Sequence, residues 1–67
     1  MKKVSFVIPC YRSEHTLPHV VKEIREKMQE LTQYEYDIFL VNDASPDNTM
    51  GTIRDLCDKY DNIKGIG

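Results

Sequence analysis

The stretch "FLVNDASPDNT" at positions 39–49 places Asp43, Asp47, Ser45, Thr49 and two Asn residues directly after an apolar run. A second polar stretch, "PCYRSEHT" at positions 9–16, follows an earlier apolar run and carries Tyr11, Arg12 and Glu14. The Tyr11 ring can cover a flat base, and the Asp43 carboxylate can accept a hydrogen bond from a ring N–H of uracil or guanine. A base held between such groups is a nucleotide site that needs no phosphate loop. A phosphate loop or a dinucleotide fingerprint would need glycine after the first strand, so that the backbone can approach a pyrophosphate. The chain has no glycine before Gly51, which excludes both.

These two stretches need elements to position them. "KVSFVIP" at 3–9 and "YDIFLVN" at 36–42 are rich in β-branched and aromatic residues and apolar at consecutive positions, as in strands of a parallel sheet. Between them Leu17, Val20, Val21, Ile24, Met28 and Leu31 recur on one helical face, which predicts a helix from about Thr16 to Thr32. After the second strand, Ser45 is a candidate cap for a helix with Pro46 at its first position and Asp47 in its first turn, continued by Met50, Ile53, Cys57 and Tyr60. "NIKGIG" opens a third short strand. The predicted fold is α/β, a three-stranded parallel βαβαβ unit. Ligands of open α/β sheets bind beyond the carboxyl ends of the strands, which is where both polar stretches emerge.

Crossovers between parallel strands are right-handed, so a 3-2-1 strand order puts both helices on one side of the sheet. Alternation along the strands leaves the other face apolar as well, whichever one it is. The chain is therefore expected either to continue in its native context or to associate with itself, through that face and the open edge of the first strand.

With 67 residues the chain is at most one domain. A net charge of −2 with 30% charged residues does not suit a polybasic nucleic-acid binder, so no nucleic-acid partner is expected. The apolar run near the start is too short for a signal peptide or a membrane span, and a cytoplasmic location is the default expectation. Cys10 and Cys57 lack metal-ligand or disulfide spacing and are expected to be reduced, buried or half-buried side chains. His15 and His19 stand four apart, with no acidic third ligand in register, so no metal is expected on residues of this chain.

The two stretches also carry a resemblance. "VSFVIPCYRSEHTL" followed by "FLVNDASPDNT" resembles the amino-terminal part of the family 2 glycosyltransferases of the GT-A fold, whose pattern is an apolar strand ending in P-x-Y-N-E and another ending in D-D-G-S-x-D-x-T. The resemblance covers essentially the whole chain. It implies the first half of a Rossmann-like, nucleotide-diphospho-sugar transferase fold, with residues 1–67 a single partial domain. It also implies that Pro9 and Tyr11 line the base pocket, that Glu14 lies beside it, that Asp43 recognises the base of a UDP- or GDP-sugar, and that Ser45 shapes the loop. Three positions depart from the pattern: Arg12 stands for Asn, Asn42 for the first Asp and Ala44 for Gly.

In the complete enzymes the resemblance implies Mg or Mn on the diphosphate, where it stabilises the leaving group. Their acceptor is a hydroxyl or a lipid phosphate, and the branch that uses polyprenyl or dolichyl phosphate is similar to this chain. Membrane association of a full-length protein is left open by that branch. The family's D-x-D motif and catalytic base have no counterpart in these residues, so the chain alone is not expected to catalyse transfer. A non-catalytic nucleotide-binding or self-associating module is the alternative. Local chemistry offers plainer roles too: Asp43 and Asp47 suit turns and caps, Tyr11 suits packing over the sheet end, and Glu14 suits the positive end of the first helix.

Overall fold

The computed structural model describes residues 2–44 and 46–66. The chain runs through β1 (Lys2–Cys10), α1 (Leu17–Glu30), β2 (Tyr34–Asn42), α2 (Thr49–Lys59) and β3 (Ile63–Ile66). All strand pairing is parallel, in the order β1-β2-β3, so β2 is central. Phe6 stands opposite Ile38 and Ile8 opposite Leu40, while Ile38 also faces Ile63.

One face of this sheet makes the core. Cys10, Ile38, Leu40 and Ile63 cluster with Leu17 and Val21 of α1 and with Ile53 and Leu56 of α2, and Phe6 and Ile8 pack against the cluster. Both helices therefore cover the same face, as right-handed crossovers in this strand order require. Arg25 adds a link between the helices, with its guanidinium carbon 3.7 Å from the ring centre of Tyr60. At Gly65 a Cβ would stand 2.6 Å from Cγ2 of Ile53, so the absence of a side chain lets α2 sit close against β3.

The opposite face is uncovered, and only half of it is apolar. Val7, Pro9, Phe39, Val41 and Ile66 occupy its carboxyl half, with Val7 67% and Ile66 51% exposed. Its amino half carries Lys3, Ser5, Glu35 and Asp37, where Lys3 Nζ lies 2.9 Å from Asp37 Oδ2. The expectation of an apolar second face is corrected to that extent: charged pairs keep the amino half wet.

The helix boundaries also differ from the sequence expectation. The first helix ends at Glu30 rather than near Thr32. The second begins at Thr49, with Asn48 as its N-cap residue, not at Pro46. Pro46 and Asp47 belong to the loop, and the proposed cap, Ser45, lies outside the described residues. Asp47 supplies the reason: its carboxylate bonds the N–H of Thr49 from outside the helix, two residues on, in the manner of an Asx turn.

Candidate functional site

The two polar loops leave the sheet side by side, because β1 and β2 are adjacent and end together at Cys10 and Asn42. The backbone N–H of Asp43 donates to the carbonyl of Cys10 at 2.9 Å, continuing the ladder one step beyond both strands. Tyr11 and Asp43 thus follow directly on paired residues at the carboxyl edge of the sheet. Both are exposed, Tyr11 at 56%.

Each of these two residues is followed by one in the left-handed region. Arg12 and Ala44 both have φ of 50°, and they are the non-glycine residues with positive φ among those described. Gly, and to a lesser degree Asn, tolerates this conformation, whereas a Cβ crowds the following carbonyl. Tyr11 and Asp43 thus stand between the end of a strand and a residue of positive φ. The Arg12 guanidinium carbon lies 5.6 Å from the centre of the Tyr11 ring, so a cation borders the aromatic surface.

Behind the tips, the loops are joined by hydrogen bonds between residues more than thirty positions apart. The N–H of Ser13 donates to Thr49 Oγ1 at 2.9 Å. The N–H of Glu14 donates to Asp47 Oδ2 at 3.3 Å, and in return the N–H of Asn48 donates to Glu14 Oε1 at 3.2 Å. The Thr52 hydroxyl donates to the carbonyl of Glu14 at 3.2 Å. Thr49 is fully buried, and its hydroxyl donates to Asp47 Oδ1 while accepting from Ser13. The Thr49 hydroxyl, followed by the backbone N–H groups of Glu14 and Thr49, holds the Asp47 carboxyl below the usual carboxylate range.

A free helix N-terminus attracts anions, but here the N–H groups of Asn48 and Thr49 are taken by the carboxylates of Glu14 and Asp47. Two negative side chains at the start of α2 would repel a phosphate. The chemistry open to the loop tips is recognition of a flat, hydrogen-bonding ring, with Arg12 as the neighbouring cation. Among the described residues no three His, Cys, Asp or Glu side chains converge as metal ligands.

Of the residues singled out from the sequence, Tyr11 and Asp43 each stand one residue past the last pair of two adjacent strands. Pro9 lies within β1, exposed on the uncovered face opposite Val41. Glu14 is half-buried and engaged with α2. Sequence reasoning missed Thr49 and Thr52; the one signal was the D-x-T at Asp47 and Thr49, whose partner across the loops no local pattern reveals. A hollow of about 630 Å³ opens elsewhere, between α2 and β3, lined in part by Met50, Ile53 and Cys57. It lies beside the third strand.

The profile of glycosyl transferase family 2 matches residues 5–66. The chain belongs to this family. Within it, the chain is 31% identical over 64 residues to a dolichyl-phosphate beta-glucosyltransferase of Trichomonas vaginalis, covering 90% of this chain and 20% of that protein. It is 36% identical over 62 residues to an undecaprenyl-phosphate 4-deoxy-4-formamido-L-arabinose transferase of Proteus mirabilis, covering 92% and 19%. Identity reaches 41% over 54 residues with a bactoprenol glucosyl transferase of Shigella phage SfV, covering 81% and 17%. The chain thus spans about a fifth of the length of these relatives. The α/β fold with three parallel strands and two helices agrees with the amino-terminal part of a family 2 transferase. Among the described residues no helix is long and apolar enough to cross a membrane.

Proposed function

We propose that this chain is the donor-recognising, amino-terminal portion of a glycosyltransferase that moves a sugar from a nucleotide-diphospho-sugar to a polyprenyl-phosphate acceptor. The observation that carries the reading is the place of Tyr11 and Asp43, each directly after the last pair of two adjacent parallel strands, with the Asp43 N–H bonded to the Cys10 carbonyl. Tyr11 stacks on the base, Asp43 accepts its ring N–H, and Pro9 closes the pocket from the uncovered face. Arg12 faces the phosphates. The names of the relatives, which refer to dolichyl phosphate, undecaprenyl phosphate and bactoprenol, support a polyprenyl acceptor. The cation that such a donor would carry belongs to residues other than these.

Titration of UDP and GDP into the chain, followed through backbone amide shifts, tests this. Saturable shifts at Tyr11 and Asp43 are expected with one of the two. Asp43→Ala should weaken that binding by about 10- to 100-fold, the worth of a hydrogen bond to a charged group. A folded sample with no saturable shift for either nucleotide refutes the reading.

The exposed Val7 and Ile66 favour a second reading, in which the chain also associates with itself through the apolar half of its uncovered face. Val7→Lys should abolish such association. A compact monomer by sedimentation at tens of micromolar would sink that reading.

A further inference from the structure

We propose that Glu14 and Asp47 are positioning residues: their reciprocal bonds across the two loops set the distance between Tyr11 and Asp43, and Glu14 does not touch the nucleotide. The proposal deepens the donor-binding reading and rests on it for its purpose, but the staple can be tested without any ligand. Glu14 gives its N–H to Asp47 and takes the N–H of the adjacent Asn48, so the two loops are joined in both directions. The exchange is similar to a capping box but spread over three residues: Asp47 accepts from Glu14, 33 positions away, and Glu14 accepts from Asn48, 34 positions away. Ser13 to Thr49 and Thr52 to the Glu14 carbonyl flank the exchange on either side.

The topology explains why such a device is needed. Tyr11 and Asp43 sit on separate loops, each one residue past the last strand pair and each followed by a left-handed turn. The β1–β2 register ends at Cys10 and Asn42, so the segment from Arg12 to the start of α1 at Leu17 lies beyond the sheet. The four bonds from Ser13, Glu14, Asn48 and Thr52 anchor that segment to α2, which is in turn held by the buried Ile53 and Leu56. The sugar-nucleotide end of the sheet is thereby tied to the core through Glu14. Its side chain accepts from a backbone amide, so its negative charge is spent within the protein instead of facing a diphosphate.

The role makes a distinction between charge and acceptor geometry. Glu14→Gln keeps an oxygen for the Asn48 N–H, whereas Glu14→Ala removes it. Backbone order parameters of the ligand-free chain should fall at Tyr11 and Asp43 from about 0.85 towards 0.6 in Glu14→Ala, and stay near the parent values in Glu14→Gln. Thr52→Val, which keeps both carboxylates, should loosen the same segment to a smaller extent and serves if Glu14→Ala does not fold. Nucleotide affinity should follow order, falling about tenfold in Glu14→Ala and little in Glu14→Gln. Unchanged order at both tips in Glu14→Ala and Thr52→Val overturns the proposal. So does a Glu14→Gln variant that keeps its order yet loses affinity as Glu14→Ala does, since that would make Glu14 a direct contact. If the parent chain binds neither UDP nor GDP, the donor-binding reading fails while the order parameters still decide the staple.

Discussion

Replacing Ala44 by glycine should make this chain more stable. Ala44 has φ of 50° and lies exposed between Asp43 and the loop that leads to α2. Holding an L-residue in this region costs roughly 1–2 kcal/mol through the contact of Cβ with the next carbonyl oxygen. Glycine carries no such cost, but it widens the unfolded ensemble, which takes back about 0.4–1 kcal/mol. The net expectation is a gain of about 0.5–1 kcal/mol, which in a chain of this length raises the midpoint of thermal unfolding by roughly 2–8 °C. The assay is thermal and urea unfolding of the parent, Ala44→Gly and Ala44→Val. Valine should move the midpoint the other way, because a β-branched residue is poorly tolerated at positive φ. Arg12→Asn should repeat the gain in the first loop, since Asn accepts the left-handed region more readily than Arg. An Ala44→Gly protein that unfolds at or below the parent temperature would refute the reasoning, and with it the view that Arg12 and Ala44 hold strained turns.

Four further substitutions or conditions probe other parts of the fold. Gly65→Ala places a Cβ 2.6 Å from the Ile53 methyl, so α2 and β3 must separate; a loss of roughly 1–3 kcal/mol in urea unfolding is expected, and no loss would mean the contact is loose. Ile53→Ala empties a fully buried site at the centre of the core and should cost about 2–5 kcal/mol by the same measurement. The lowered pKa of Asp47 means that its contribution is fully present above the unfolded value and is lost as pH falls through the folded one. Urea midpoints should therefore decline as pH drops below about 4, and Asp47→Ala should flatten that decline. Burial raises the thiol of Cys10, which has no exposed surface, so alkylation in the folded chain should reach half-buried Cys57 first.

The strands and the first helix were legible because their signals are local. Consecutive apolar residues at Phe6–Ile8 and Ile38–Val41, and the helical spacing of Leu17, Val21, Ile24 and Met28, need nothing beyond their own neighbours to be read. The start of α2 was not legible for the opposite reason. Ser45, Pro46 and Asp47 satisfy every local rule for a helix start, yet the helix opens later, since Asp47 bonds Thr49 and Glu14 from the loop. Half of that arrangement lies 33 residues away. The same limit applies to Glu14, which the resemblance set beside the base and the structure joins to the first turn of α2. The departures from the family pattern were informative in the other direction. Ala44 and Arg12 were visible as replacements for Gly and Asn, and both turn out to occupy the left-handed region those residues favour.

The opening cluster of carboxylates therefore separates into two kinds of work. Asp43 is exposed one step past the sheet, with its own N–H used to fix its place. Asp47 takes the Thr49 hydroxyl and two backbone N–H groups, and has little left to offer a ligand. This division follows from the missing glycines. A phosphate-binding loop leaves its helix N-terminus bare for the ligand, and glycine lets the ligand reach it. Here the N–H groups of Asn48 and Thr49 at the start of α2 are taken by Glu14 and Asp47, so on the proposed reading affinity for a nucleotide comes from its base, with Arg12 the adjacent positive charge. A chain built this way should discriminate UDP from GDP by the ring it can hold, more sharply than it distinguishes a monophosphate from a diphosphate. Comparing UMP with UDP, and UDP with GDP, on the same sample measures both differences; a larger effect of the second phosphate than of the base would place the main contact away from Tyr11 and Asp43.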